Sequence, residues 1–107
     1  MKEPNVQARC PVRTTLEMLG GKWSLLIVNA LRNGGLRPSE LMRIIPEISE
    51  KMLMQELKHL QVSELVERKA DGDRVFYQLT EKGKLAFPLL EAMRNFARQY
   101  EDSLKKV

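Results

Sequence analysis

RPSELMRIIPEISEKMLMQELKHLQVSELVERKADGDRVFY, residues 37–77, is the stretch that decides the fold. Its apolar spacing predicts a short helix that begins at Pro38 and a turn broken at Pro46. A second helix, capped by Ser49, and two short strands joined by a polar turn complete the prediction. The rest of the chain is predicted to hold the second helix in place and to pair it with a second copy through dimerisation.

The second helix has two contrasting sides. Leu57 and Leu60 both fall within about 40° of Leu53 around the helix axis, so the three leucines form one stripe. The opposite side carries Lys51, Gln55 and Lys58, with Met54 and His59 on the flanks. A helix that buries a leucine stripe and exposes lysine and glutamine beside a hairpin is typical of a DNA-reading unit.

The strands after this helix form a predicted hairpin. Residues 66–69 and 75–79 are predicted to be strands that pack through Val66, Val75, Tyr77 and Leu79, and Asp71-Gly72 between them is the strongest short-range hairpin signal. Before the second helix, the segment Leu36-Arg37 is too short to assign alone, although it could pair with a later strand.

Two helices are predicted before this stretch. One begins at Pro11 with Cys10 at its N-cap, although Thr14 and Glu17 could form an alternative capping box. The next, residues 22–32, is apolar nearly all round and is therefore predicted to be buried on several sides. Residues 1–9 are predicted to be a polar arm.

The last predicted helix, capped by Thr80 and ending near residue 105, is too apolar for a small monomer. Its stripe continues for about five turns, so we expect the same helix of a second subunit to cover it, helped by Leu16 of the first helix. The predicted dimerisation residues of this stripe are Leu89, Leu90, Met93, Phe96, Ala97, Tyr100 and Leu104.

Composition limits the functional classes. The 107 residues fit one domain, and a net charge of +4 permits an anionic partner without demanding one. The single cysteine excludes an internal disulfide, and no apolar run is long enough for a signal core or a membrane span, so we expect a cytoplasmic protein. With one histidine and neither a phosphate-binding loop nor metal-ligand spacing, we predict no enzyme activity, metal or cofactor.

The ordered elements define a mainly α fold with a small β-hairpin wing and dimerisation helices at both ends. A winged helix-turn-helix with its N-terminal helix spans residues 11–79, and the C-terminal dimerisation helix spans 80–106. The residues also resemble those of the HxlR-type transcriptional regulators, which are related to MarR-type proteins. The resemblance covers roughly residues 10–100. It is carried by Cys10-Pro11-Val12, Gly20-Gly21-Lys22-Trp23-Ser24-Leu25-Leu26-Ile27, Ser39-Glu40-Leu41, Ile45-Pro46-Glu47-Ile48-Ser49, Leu53-Met54-Gln55-Glu56-Leu57-Lys58-His59-Leu60, Leu65-Val66-Glu67-Arg68 and Tyr77-Gln78-Leu79-Thr80-Glu81-Lys82-Gly83.

This resemblance implies a dimeric DNA-binding regulator. The chain departs from the family pattern at Glu64, where a glycine is usual, and at Pro38, where phenylalanine is common. Its wing tip, residues 70–73, is shorter and more acidic than the usual turn.

The candidate DNA-binding residues lie on the third and fourth helices and the wing. They are Arg37, Ser39, Ser49, Lys51, Gln55, Lys58, Arg68, Lys69 and Arg74. Lysine suits phosphates or guanine, and glutamine can pair two ways with adenine. Arg68 and Lys69 are strand neighbours and cannot both face DNA. The alternative interpretation of each set is an ordinary solvated charged surface.

Cys10 is the candidate for redox sensing. A thiol at a helix N-terminus between Arg9 and Arg13 is expected to be more reactive, whereas the alternative is a small apolar residue that only packs. Some members of the family sense oxidants or electrophiles through a cysteine at this position.

These observations predict a homodimeric regulator that binds double-stranded DNA at a near-palindromic operator. The alternative is a winged-helix module for protein–protein contact. The sequence does not identify a small-molecule effector.

Overall fold

A computed structural model of the protein describes residues 10–105. The helices are α1 (Pro11–Leu19), α2 (Ser24–Ala30), α3 (Pro38–Ile44), α4 (Glu50–Val62) and α5 (Phe87–Lys105), and the strands are β1 (Val66–Asp71) and β2 (Arg74–Leu79). A 3₁₀ turn, Gly83–Ala86, leads directly into α5. The predicted fold class is confirmed. The predicted polar arm, residues 1–9, lies outside the described residues, as do residues 106 and 107.

The wing is a tight antiparallel hairpin whose register runs from Val66 opposite Leu79 to Asp71 opposite Arg74. Gly72 has φ 64°, a left-handed conformation that glycine adopts without steric cost. Leu36 pairs with Tyr77 through N–H···O bonds of 2.8 and 2.9 Å. The segment that could pair with a later strand therefore does so, and it joins the start of α3 to the wing.

The hydrophobic core lies between α2, α3, α4 and the hairpin. Its fully buried apolar members come from the three helices and from Leu31, directly after α2: Ile27, Val28, Leu31, Leu41, Leu53, Leu57 and Leu60. The helix predicted over residues 22–32 was expected to be buried on several sides. Ile27 and Val28 fit this expectation, but Leu26 is 47% exposed. The leucine stripe of α4 is buried as predicted.

The prediction that Thr80 caps the last helix is wrong, because α5 begins only at Phe87, with Pro88 next to it. The Thr80 hydroxyl instead accepts the N–H of Gly83, the first residue of the 3₁₀ turn, at 3.0 Å. Ala86 and Leu90 pack into the same core as the winged helix. The core therefore extends past residue 79 into the first turn of α5.

From Glu91 to Lys105 every residue of α5 is exposed. Leu90 was predicted to be a dimerisation residue, but it is 8% exposed and belongs to the protomer's own core. Leu89 is partly buried against that core. Beyond Leu90 the helix projects from the protomer with its apolar stripe uncovered.

Candidate nucleic-acid interface

Helix α4 is held at its N-terminus by a well-formed cap. Ser49 has extended backbone angles, and its hydroxyl accepts the Met52 N–H at 3.1 Å. Glu50 in the first turn places a negative charge at the positive end of the helix dipole, which stabilises the helix. Leu41 of α3 is fully buried. The turn between the helices is closed by a bond from the Ile48 N–H to the Ile45 carbonyl, so α3 and α4 form a helix-turn-helix.

The outward side of α4 presents the predicted polar residues. Lys51, Gln55 and Lys58 are all exposed, opposite leucines with no accessible surface. None of the three has a hydrogen bond or ion pair within residues 10–105. Lys58 borders a shallow depression with Met54 and Tyr77, where α4 meets the wing. The arrangement leaves two ammonium groups and one amide available to a ligand along about two helical turns.

His59, which the sequence placed on the flank of this face, turns towards α1. Its Nε2 lies 3.2 Å from the Met18 carbonyl oxygen, and the ring is partly buried. Met54 on the other flank is 42% exposed. Of the two flanking residues, only Met54 borders the outward surface.

On the wing, Lys69 is partly neutralised by a neighbour that sequence reasoning did not use. Its Nζ lies 3.2 Å from Glu67 Oε1, on the same face of β1. Hydrogen bonds from Gln78 and then Lys69 hold the pKa of the Glu67 carboxyl below its usual value, so the carboxylate stays charged. Arg68 lies exposed on the opposite face. It is the less compensated of the two bases.

Arg37 and Arg74 converge, although they are far apart in sequence. Both line one depression of about 290 Å³ between the start of α3 and the wing tip, together with Glu40 and Asp71. The Glu40 carboxylate accepts the Arg37 backbone N–H at 2.8 Å. Ser39, the next candidate on α3, is exposed. The Leu36–Tyr77 pairing causes this convergence because it lays the start of α3 beside the wing.

Cys10 is exposed at the N-cap of α1, and its side chain makes no capping bond. Its carbonyl accepts the Thr14 N–H at 3.0 Å, so the helix starts at Pro11 and does not use the alternative capping box at Thr14. Arg9 lies outside the described residues.

Between residues 10 and 105, no group of three or more His, Cys, Asp or Glu side chains is placed to hold a metal ion. None of the helices in that range combines the length and the apolar character that a membrane span requires.

A helix-turn-helix whose second helix exposes polar groups beside a hairpin defines a winged-helix DNA-binding protein. The HxlR-like helix-turn-helix family model matches residues 18–105. The chain therefore belongs to the HxlR family, as its motifs suggested, and is a transcriptional regulator of the helix-turn-helix type.

Relatives of known sequence and structure agree with this assignment. YkvN of Bacillus subtilis, an HTH-type transcriptional regulator, is 41% identical over 96 residues, which cover 87% of this chain and 81% of YkvN. YodB of the same organism, also an HTH-type transcriptional regulator, is 37% identical over 95 residues, 85% of each chain. These relatives are named as regulators and not as enzymes.

Two solved structures show the same fold. The crystal structure of the HTH-type regulator ytcD superposes with a TM-score of 0.83 at 32% identity, covering 87% of this chain and 98% of that one. The redox regulator HypR in its oxidized form superposes with a TM-score of 0.79 at 32% identity, covering 84% and 96%. YodB has been solved in reduced, quinone-bound and diamide-treated forms.

Proposed function

We propose that the protein is a cytoplasmic homodimer that binds a near-palindromic operator in a sequence-specific manner, with one α4 in each of two successive major grooves. The observation that supports this most directly is the exposed Lys51–Gln55–Lys58 face on a helix whose apolar side is wholly buried. Gln55 would read a base edge, and the two lysines would contact phosphates or guanine.

The second subunit is proposed to cover the apolar side of α5. Phe96 and Tyr100 are 60% and 57% exposed, with ring centroids 6.2 Å apart. Met93, Ala97 and Leu104 continue this exposed side of α5, and Val12 and Leu16 are exposed on α1. A depression of about 520 Å³ beside Phe96 and Tyr100 offers room for a partner's side chain. At about 25 cal/mol per Å², leaving these side chains in water forgoes several kcal/mol.

Selection of binding sites from random double-stranded DNA tests this proposal. We expect a near-palindromic consensus whose half-sites lie about 34 Å apart, bound by two chains per site, with affinity that falls steeply as salt rises. A protein that forms homodimers but selects no sequence would contradict the proposed reading role. Capture of a different protein by the α5 surface, without self-association, would favour the alternative of a protein–protein contact module.

We further propose that Cys10 makes DNA binding sensitive to oxidants or electrophiles. The support is its exposed thiol at the start of a helix that also carries the proposed dimer surface, and the likeness to HypR and YodB. Because the chain has one cysteine, any disulfide would link Cys10 either to Cys10 of a second subunit or to a small thiol. Operator affinity before and after diamide treatment, in the natural chain and in Cys10→Ser, decides this. An equal response of both proteins would reject the role of Cys10.

A further inference from the structure

The end of α4 and the start of the 3₁₀ turn before α5 are tied together by four residues. We call Glu64, Thr80, Lys82 and Gly83 the junction. Building on the function proposed above, we propose that the junction fixes the angle between the reading helix and the dimerisation helix and so selects the separation of operator half-sites.

On the α4 side, the chain leaves the helix through a strained residue. The Leu65 N–H bonds to the Leu60 carbonyl and the Glu64 N–H to the Gln61 carbonyl, both at 2.9 Å. This pair of bonds ends a helix in a Schellman motif, whose left-handed position is usually glycine. Glu64 occupies that position with φ 62°. The conformation is unfavourable for a residue with a side chain, so other contacts must hold it.

Those contacts come from the segment that leads into α5. The Thr80 hydroxyl donates to the Glu64 carbonyl oxygen at 2.5 Å and accepts the Gly83 N–H at 3.0 Å. The Lys82 ammonium donates to the Glu64 carboxylate at 2.7 Å. The hydrogen bond and the charge of Lys82 hold the pKa of the Glu64 carboxyl below its usual value. One hydroxyl and one ammonium therefore join the two segments.

Gly83 allows a close approach between the segments. It is buried, and a side chain at this position would collide with the Leu65 carbonyl oxygen. The Thr80 N–H also bonds to that oxygen, at 3.1 Å. Because Gly83 opens the turn that runs without interruption into Phe87, this contact helps to set the direction of α5, together with the core packing of Ala86 and Leu90.

The length of α5 turns a small angular change into a large displacement. Residues 91–105 have no buried member, and they span about 22 Å at about 1.5 Å per residue. A tilt of about 10° at the root would move the far end by about 4 Å. That distance is close to the rise of about 3.4 Å per base pair, so a loosened junction would blur the spacing by about one pair.

Two variants remove different parts of the junction. Thr80→Val deletes the shared hydroxyl, and Lys82→Ala deletes the exposed ammonium with little risk to folding. Lys84→Ala is the matched control. Lys84 lies two positions away and pairs at 2.9 Å with Glu81, a contact that does not reach α4.

The DNA experiment uses the selected operator with zero, one or two base pairs added between its half-sites. We expect the natural chain and Lys84→Ala to lose at least about tenfold in affinity for the lengthened sites, and the junction variants to lose less than about threefold. Affinity for a single half-site should be equal in all four proteins, because the reading face is unchanged. Junction variants that keep the spacing preference of the natural chain would overturn the proposal.

A measurement without DNA separates this proposal from the function on which it rests. Nitroxide labels at Lys58→Cys and Arg98→Cys, in a Cys10→Ser background and diluted with unlabelled protein, report the distance between α4 and α5 within one protomer. We expect a narrow distribution for the Lys84→Ala control and a clearly wider one for both junction variants. Distance distributions of equal width in the control and the junction variants would overturn the proposal. If the junction variants give wider distance distributions but the natural chain selects no DNA sequence, the proposed function is wrong and the proposed role in half-site spacing is wrong with it.

Discussion

Helices α4 and α5 are both amphipathic, yet the protomer treats their apolar sides in opposite ways. Leu53, Leu57 and Leu60 of α4 have no accessible surface, whereas Phe96 and Tyr100 of α5 are more than half exposed. The packing of α4 is complete within one chain, so its polar side is available for a ligand. The packing of α5 is incomplete beyond Leu90. The comparison teaches that one helix can present a site alone, whereas the other leaves an apolar surface that we propose a second subunit covers.

The largest expected effect comes from breaking the buried side of α4. Leu57→Ala should lower the free energy of unfolding by about 2–5 kcal/mol, because it removes buried methyl groups and leaves a cavity. Urea unfolding followed by circular dichroism, at fixed protein concentration, measures the loss. Met54→Ala on the same helix is the control, since Met54 is 42% exposed and should cost no more than about 0.5 kcal/mol. Equal costs would contradict the assigned orientation of α4.

The next test acts on the uncovered side of α5. Phe96→Glu should weaken self-association by at least about 100-fold, because a carboxylate would be buried without a partner in the proposed interface. Sedimentation equilibrium measures the change. Asn95→Glu adds the same charge one position away, about 100° round the helix from Phe96 and opposite the centre of the apolar stripe, and should leave the dimer intact. A Phe96→Glu dimer as stable as that of Asn95→Glu would assign the stripe to another partner.

The same comparison shows what the sequence could predict. Periodicity placed both apolar stripes, because a 3.6-residue repeat depends only on local geometry. It did not separate Leu90 from Phe96, since the point where a stripe stops packing on its own chain depends on distant residues. Arg32 is one of these: it pairs with Glu91 at 2.6 Å and lies over the Phe87 ring. The convergence of Arg37 with Arg74 and the bonds of Thr80 also join segments far apart in sequence. Single-residue patterns carry no signal for such pairs.

On the polar side of α4, substitutions should separate sequence-specific contact with bases from sequence-independent attraction to phosphates. Gln55→Ala should cost about 1–3 kcal/mol on the selected operator and little on unrelated DNA, because a bidentate contact to a base would be lost. Lys51→Ala should weaken both and lower the salt dependence of log affinity by about one. Titrations at several salt concentrations measure both effects. A uniform loss for Gln55→Ala would remove its reading role.

A smaller effect is expected where α4 ends. Glu64→Gly should raise the midpoint of thermal unfolding by about 2–5 °C, because glycine adopts the left-handed conformation freely. The loss of the exposed Lys82 pair offsets part of this gain. Differential scanning calorimetry measures the shift. Glu81→Gly serves as the contrast, since Glu81 has no positive φ, and it should not raise the midpoint. A lower midpoint for Glu64→Gly would mean that the ion pair outweighs the backbone strain.

The smallest effect concerns the contact that holds the root of α5. A hydrogen bond from Arg32, with further attraction to Arg94, holds the pKa of Glu91 below its ordinary 4.5. Because the folded pKa is the lower one, this pair contributes stability above pH 4.5, and the contribution is lost as the pH falls through the folded value. The thermal midpoint should therefore drop more steeply between about pH 5 and pH 3 in the natural chain than in Glu91→Gln, by a few degrees at most. Parallel pH profiles would show that Arg32 holds α5 through the Phe87 ring and not through Glu91. In either case the anchored root and the uncovered end of α5 meet at residue 91, where the protomer's own packing stops.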